Sequence, residues 1–265
     1  MLGAVIGDIV GSVYEFDNIK TKDFPFFQDR CRFTDDTICT LALAECLLDG
    51  GDPAIYLRRW CREYESSYGF GFRRWVHDDN AGPYNSWGNG AAMRVSPAAY
   101  LAKNHQDALR LAEHITQVTH DHPRGLLGAA AVTTAIWLAL SGATAAEIRK
   151  QIERQYRYDL GRRVDEIRPS YEFNESCDGT VPEAITCALE AQDFEDAIRN
   201  AISIGGDSDT VAAITGSIAE ALFGIPSDLR TAAMPFLRDR FIEVLNRSYK
   251  SVGSFQSKRD SKSTR

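Results

Sequence analysis

Two short runs in the chain combine carboxylates with hydroxyls: Thr34-Asp35-Asp36-Thr37 and Gly205-Gly206-Asp207-Ser208-Asp209-Thr210. Each stands at the mouth of a long apolar helical stretch, the first running from Ile38 to Leu48. Adjacent carboxylates repel one another unless a proton or a cation lies between them, and hard oxygen donors suit Mg²⁺ or Mn²⁺. A single run is explained by helix capping, because Thr, Ser and Asp are preferred N-caps and negative charge is stabilised at the positive end of a helix dipole. Each run, however, supplies more carboxylates and hydroxyls than one cap uses. The pair therefore points to one divalent-metal site, two-metal in its simplest form, built from both runs.

The elements that must carry these runs read as helices. Asp52-Pro53 opens one with Pro in the first turn, Thr144 with Glu147 and Thr180 with Glu183 have capping-box spacing, and Ala108, Leu111, Ala112 and Ile115 form an apolar stripe. Strand signals are scarce. Ile38 to Leu48 and Leu126 to Leu140 are apolar nearly all round, which places them in the middle of the fold. The expectation is an all-α compact orthogonal multi-helix bundle. Met1 to Asp8 reads as a buried helix rather than a signal peptide, and Gly3, Gly7 and Gly11 give it a stripe suited to close packing, with Asp8 oriented to support its neighbours. The segment from Glu65 to Pro97 breaks the pattern with Gly69, Gly71, Gly82, Pro83, Gly88 and Gly90 among six aromatics and reads as one long functional loop.

The chain has 265 residues, 44% of them hydrophobic, and a net charge of −7. No linker, charge block or internal repeat interrupts it, which predicts a single domain over 1–247. Residues 248–265 hold Lys250, Lys258, Arg259, Lys262 and Arg265 against Asp260 and are predicted to form a disordered basic tail. The remaining body is then more acidic than the whole, which disfavours a nucleic-acid surface, although a modified nucleic acid stays open as a substrate. Leu126 to Leu140 is shorter than the roughly 20 residues a bilayer requires. Cys31, Cys39, Cys46, Cys61, Cys177 and Cys187 form no C-x-x-C pair and read as reduced structural thiols, which predicts a cytoplasmic location.

An ordered series of motifs resembles the ADP-ribosylglycohydrolase family: Gly7-Asp8-Ile9-Val10-Gly11 with Glu15, Phe33-Thr34-Asp35-Asp36-Thr37, Gly88-Asn89-Gly90-Ala91-Ala92-Met93-Arg94, Thr119-His120, Val181-Pro182-Glu183-Ala184, and the Gly205–Thr210 run. The resemblance covers about Leu2 to Pro226. It implies that Thr34, Asp35, Asp36, Asp207, Asp209 and Thr210 bind two Mg²⁺ ions, with Mn²⁺ an alternative. It implies that Glu15 exchanges protons with the leaving group or water, in a catalytic set with Asp35, Asp36 and Asp209. Ser86, Trp87, Gly88, Asn89 and Gly90 are implied to line the ADP moiety, with Gly88 to Gly90 offering N–H groups to the diphosphate from a helix start, and His120 to contact the diphosphate or ribose. The implied reaction is hydrolysis of the glycosidic bond joining ADP-ribose to a protein or other acceptor. Arginine is favoured over serine because an acidic body attracts a guanidinium.

Two other classes compete. His77-Asp78 and His120-Asp121 are dipeptides of a helical HD-type phosphohydrolase, but that reading leaves both acidic runs without a role. The chain also fits a catalytically idle ADP-ribose binder or toxin-immunity protein of the same fold, which would hold ADP-ribose without releasing it from a modified protein.

Overall fold

The computed structural model describes the backbone of residues 1–263 and the side chains of residues 1–252. Among these residues the structure is helical, with a single isolated bridge between Gly88 and Ser176 and no strand. In chain order the α-helices are α1 (Leu2–Gly11), α2 (Asp35–Asp49), α3 (Pro53–Glu63), α4 (Phe70–Val76), α5 (Gly90–Met93), α6 (Ser96–Leu101), α7 (His105–Thr116) and α8 (Pro123–Leu140). There follow α9 (Ala145–Tyr156), α10 (Val164–Ile167), α11 (Cys177–Leu189), α12 (Phe194–Ser203), α13 (Ser208–Phe223), α14 (Ser227–Ala233) and α15 (Asp239–Ser263).

Local chemistry sets the helix starts and stops. Thr34 caps α2 by accepting from the Asp36 N–H, and Gly50 ends that helix in the left-handed region at φ 67°. Asp52 caps α3 with Pro53 in its first turn, and Thr144 and Glu147 form the capping box that opens α9. The Thr180–Glu183 spacing, by contrast, does not open a helix. Ser176 is the cap of α11, Thr180 lies a turn inside and gives its hydroxyl proton to the Asn174 carbonyl, and Glu183 pairs with Arg162.

All ten residues of α1 are buried, and the helix packs most extensively on α13. Its glycine stripe is the reason it fits. A Cβ on Gly7 would lie 2.0 Å from the Ala212 carbonyl oxygen, one on Gly3 2.2 Å from that of Gly216, and one on Gly11 2.5 Å from the Asp209 Cα. The opposite faces of α1 bury Val5, Ile6, Ile9 and Val10 completely, and each such side chain contributes about 1.5–3 kcal/mol of hydrophobic stabilisation. Around this pair, α13 touches α8, α11 and α12, while α2 is held by α3, α6 and α15. By length and composition α8 is apolar enough to cross a membrane, yet 56% of it is buried inside the protein against α7, α9, α11 and α13.

Two other expectations need correction. Residues 65–97 are not one loop: α4, α5 and the start of α6 interrupt it, with Phe72, Trp75 and Val76 turned into the core. The segment from 248 onward does not begin as a disordered tail either. It continues α15, in which Ser248 is fully buried and the Tyr249 hydroxyl accepts from the Leu2 N–H at 2.8 Å and donates to Glu220. Glu220 also receives the Met1 amino group at 2.5 Å, so α1, α13 and α15 are tied together at the end remote from the acidic runs. Residues 264 and 265 lie outside the described part of the chain.

Candidate active site

The two acidic runs meet. Thr34 and Asp35-Asp36 stand at the start of α2, Asp207 and Asp209-Thr210 at the start of α13, and Glu15 follows α1. Asp35, Asp36, Asp207, Asp209, Thr210 and Glu15 all line one cavity of about 330 Å³. Carboxylate oxygens of Asp8, Asp36 and Asp209 lie within 4.8 Å of one another, as do those of Glu15, Asp207 and Asp209. The Thr210 hydroxyl reaches the other run, donating to Asp36 Oδ2 at 3.2 Å.

Asp8 stands behind this cluster. Its carboxylate accepts from the Thr34 N–H at 2.9 Å, the Thr34 hydroxyl at 2.7 Å, the Thr37 N–H at 3.1 Å and the Thr37 hydroxyl. Three of those donors meet Oδ2 and one meets Oδ1, and Asp8 is not among the cavity-lining residues, so it orients the first run, as the glycine-rich context suggested. Because the Thr34 proton goes to Asp8 and one lone pair accepts from the Asp36 N–H, one Thr34 lone pair is left for another partner.

Electrostatics mark the cluster as incomplete by itself. Burial, then the charges of Asp8, Asp35 and Asp207, push the Asp36 carboxyl well above the usual range. Burial, then Asp36, Asp207, Glu15 and Asp8, do the same to Asp209. Asp35 is raised to about 7 by burial and by Asp8 and Asp207, and Glu15 to about 7 by burial and by Asp207 and Asp35. Asp36 Oδ1 is buried and has no hydrogen-bond partner. A buried carboxylate oxygen with no donor, among oxygen-only neighbours and without a Cys or His among them, fits a hard divalent cation.

Loop packing holds the remaining pieces. Asn18 donates to the carbonyls of Tyr14, Glu15 and Gly206 and accepts from the Gly206 N–H at 2.6 Å, fastening the Glu15 loop to the run before α13. Gly205 and Gly206 adopt φ of 75° and 78°, which a side chain would strain. The Asn89 side chain donates to Asp207 Oδ2 at 2.6 Å, so it anchors a carboxylate of the cluster.

Of the residues expected to contact the ADP moiety, Ser86, Gly88, Asn89, Gly90 and His120 line the cavity. Trp87 does not. It is 52% exposed, sits 6.0 Å from the His122 ring and borders an adjoining cleft that shares Ser86 and Gly88 with the main one. The Gly88 and Asn89 N–H groups are not free for a diphosphate either: they donate to Ser86 Oγ at 3.3 Å and to the Glu175 carbonyl at 2.7 Å, and α5 is a single turn. His122 caps α8 by accepting from the Arg124 N–H. His120 is buried, and burial followed by the Arg94 charge holds its ring well below the ordinary imidazole range.

Sequence reasoning missed the roles of Arg94, Asn18 and a rim of exposed aromatics, Phe16, Phe70 and Phe173, of which Phe16 and Phe173 stack at 6.4 Å. Arg94 carried a usable signal, an arginine inside the apolar stretch Ala91 to Val95. Asn18 carried none, because its partner is 188 residues away.

The ADP-ribosylglycohydrolase family model matches residues 1–256. The ADP-ribosylarginine hydrolase Tri1 of Pseudomonas putida is 28% identical over 85% of this chain and 70% of its own. The human ADP-ribosylhydrolase ARH3 is 28% identical over 85% of this chain and 84% of its own. A solved structure described as an ADP-ribosylglycohydrolase-related protein complex superposes with a TM-score of 0.72 at 27% identity, covering 96% of this chain and 95% of that one.

Proposed function

The chain belongs to the ADP-ribosylglycohydrolase family, and from that premise we propose that it hydrolyses the glycosidic bond between ADP-ribose and a modified protein side chain, with Mg²⁺ as the preferred ion and arginine as the preferred acceptor. The observation that supports this best is the convergence of Glu15, Asp35, Asp36, Asp207 and Asp209 from three separate chain segments on one cavity wall.

Thr34, Asp35, Asp36, Asp207, Asp209 and Thr210 would hold the ions, with Asp8 and Asn89 fixing the first and second runs in place. Two divalent cations, when bound, would clamp vicinal ribose hydroxyls and lower the pKa of a water. Glu15 stands within 4.8 Å of Asp207 and Asp209, on a loop held by Asn18. With its carboxyl near 7 it can carry a proton at neutral pH. In the reaction the bond from the ribose anomeric carbon to the acceptor nitrogen or oxygen breaks with its electron pair leaving on the acceptor, and a water oxygen bonds to that carbon. One water proton ends on the acceptor, and Glu15 is positioned to pass it. An acidic cavity attracts a guanidinium acceptor, which supports arginine. The same attraction would hold the enzyme to positively charged peptide around it.

The test is a panel of peptides ADP-ribosylated at arginine or serine, incubated with Mg²⁺ or with chelator, with release of free ADP-ribose as the readout. Release from the arginine-linked peptide that chelation abolishes is the expected result. Binding of ADP-ribose without release from any substrate would replace the hydrolase with an idle binder, and serine-linked release at least tenfold faster would overturn the acceptor assignment.

A further inference from the structure

His120 is held by two neighbours that are themselves buried. Arg94 Nη2 lies 3.1 Å from His120 Nδ1 and donates to Thr119 Oγ1 at 2.5 Å, and Thr119 Oγ1 lies 2.8 Å from the same Nδ1. Arg94 is 1% exposed, Thr119 0% and His120 5%. A guanidinium can only donate. Thr119 Oγ1 can donate to Nδ1 or accept from it, but an Nδ1–H would face the Arg94 N–H inside the protein, so the guanidinium favours Nδ1 as the unprotonated acceptor. The single ring proton then belongs on Nε2, and the ring is neutral.

The Nε2 edge points at backbone that bears no side chains. A Cβ on Gly90 would lie 3.2 Å from Nε2 and one on Gly88 3.7 Å from it, so the two glycines keep that edge uncovered beside the cavity that all three residues line. Among the described residues no acceptor meets Nε2. Arg94 packs with its guanidinium 5.4 Å above the Phe72 ring and forms no ion pair there, which leaves its Nη2 hydrogens committed to the Thr119–His120 pair.

We infer that Arg94 is a positioning residue that fixes His120 as a neutral imidazole with its proton on Nε2, aimed into the cavity as a donor to an oxygen of the ligand. The ligand part of this rests on the proposed function, and the tautomer part does not. It also accounts for the position of a buried cation in a site whose other charged members are carboxylates: the positive charge acts through the ring, keeping His120 from taking a second proton and turning it into a rigid uncharged donor. Such a donor suits a ribose or phosphate oxygen at no cost in reorientation.

The experiment uses the full chain labelled with ¹⁵N-histidine and long-range ¹H–¹⁵N correlation spectra, with the His120 signals among the five histidines assigned by loss in His120→Gln. The expected wild-type signature is the neutral Nε2–H form, unchanged across the neutral range, with the Nε2 proton resonance moving on addition of free ADP-ribose. Arg94→Met should lose the fixed tautomer and weaken ADP-ribose binding by about tenfold, which is about 1.4 kcal/mol, and Arg94→Lys, which keeps a donor, should recover part of both. A protonated Nδ1 in the wild type overturns the inference, and needs no variant to fold. So does a wild-type tautomer that survives intact in Arg94→Met. If the wild type shows the Nε2–H form but does not bind ADP-ribose, the proposed function fails while the assignment of Arg94 stands.

Discussion

Replacing Asp36 by Asn should make the ion-free protein more stable and the Mg²⁺-loaded protein less so. Asp36 is 3% exposed, its Oδ1 has no partner, and carboxylate atoms of Asp8 and Asp209 lie within 4.8 Å. At that separation and an effective dielectric constant of about 20, each pair of like charges costs about 3.5 kcal/mol. Retained protons relieve part of this, since all three carboxyls are shifted upward, so about 2 kcal/mol is the expected gain on substitution. The amide keeps the side-chain volume and can still accept from Thr210, so no cavity term opposes the gain. In a chain of this size about 2 kcal/mol raises the melting temperature by about 4–8 °C. The wild type should gain about 2.7 kcal/mol from Mg²⁺ at a hundredfold excess over its Kd, and the variant much less. Scanning calorimetry at pH 8, with chelator and with Mg²⁺, should show the two proteins exchanging rank. A variant that melts below the wild type in chelator, or that gains as much from Mg²⁺, would refute the reasoning.

Without divalent ions the melting temperature should fall as pH rises. Asp35 moves from 3.8 to about 7 and Glu15 from 4.5 to about 7, so between about pH 4 and 7 the native state holds protons that the unfolded chain has released, and stability drops through that window; a melting temperature that rises across it in chelator would contradict this. Glu15→Gln should leave ADP-ribose affinity within a few-fold and lower turnover by about 10²–10⁴. Near-normal turnover removes Glu15 from proton transfer. Gly7→Ala should cost about 1–3 kcal/mol or more, because its Cβ would fall 2.0 Å from the Ala212 carbonyl, and should reduce turnover by prising Asp8 and Glu15 from Asp209; unchanged melting and activity would show that α1 does not set that spacing.

Much of the site was legible because its chemistry is local. A Thr-Asp-Asp-Thr run before an apolar helix announces both its cap and its surplus carboxylates, and the Gly3, Gly7, Gly11 stripe announces a close helix contact without naming the partner. The misreadings arose where two local signals compete or where the deciding partner is distant. Ser176 and Thr180 both head plausible first turns, and the Glu183 pairing with Arg162 decides between them. Ser248 and Tyr249 follow Phe241, Val244 and Leu245 at helical spacing, yet the surrounding charge masked a stripe whose partner, Glu220, lies on another helix. The Asn89 amide looked available for a ligand because the sequence does not reveal that Glu175 lies alongside and accepts from it, while the Gly88 amide is taken up within its own loop by Ser86 Oγ.

The two acidic runs also impose an order of assembly. Thr210 and Asp36 are 174 residues apart, Asn89 and Asp207 118, and Asn18 and Gly206 188. Contacts of such separation form late, because the loops they close must be ordered first. No stretch shorter than residues 8–210 contains the whole cluster together with Asp8, so a nascent chain halted before α13 holds the first run and lacks the second. Divalent-ion affinity, where it exists, would then report a completed topology: a chain that binds tightly has already docked its first helix against its thirteenth, and an incomplete one has little to offer the ion.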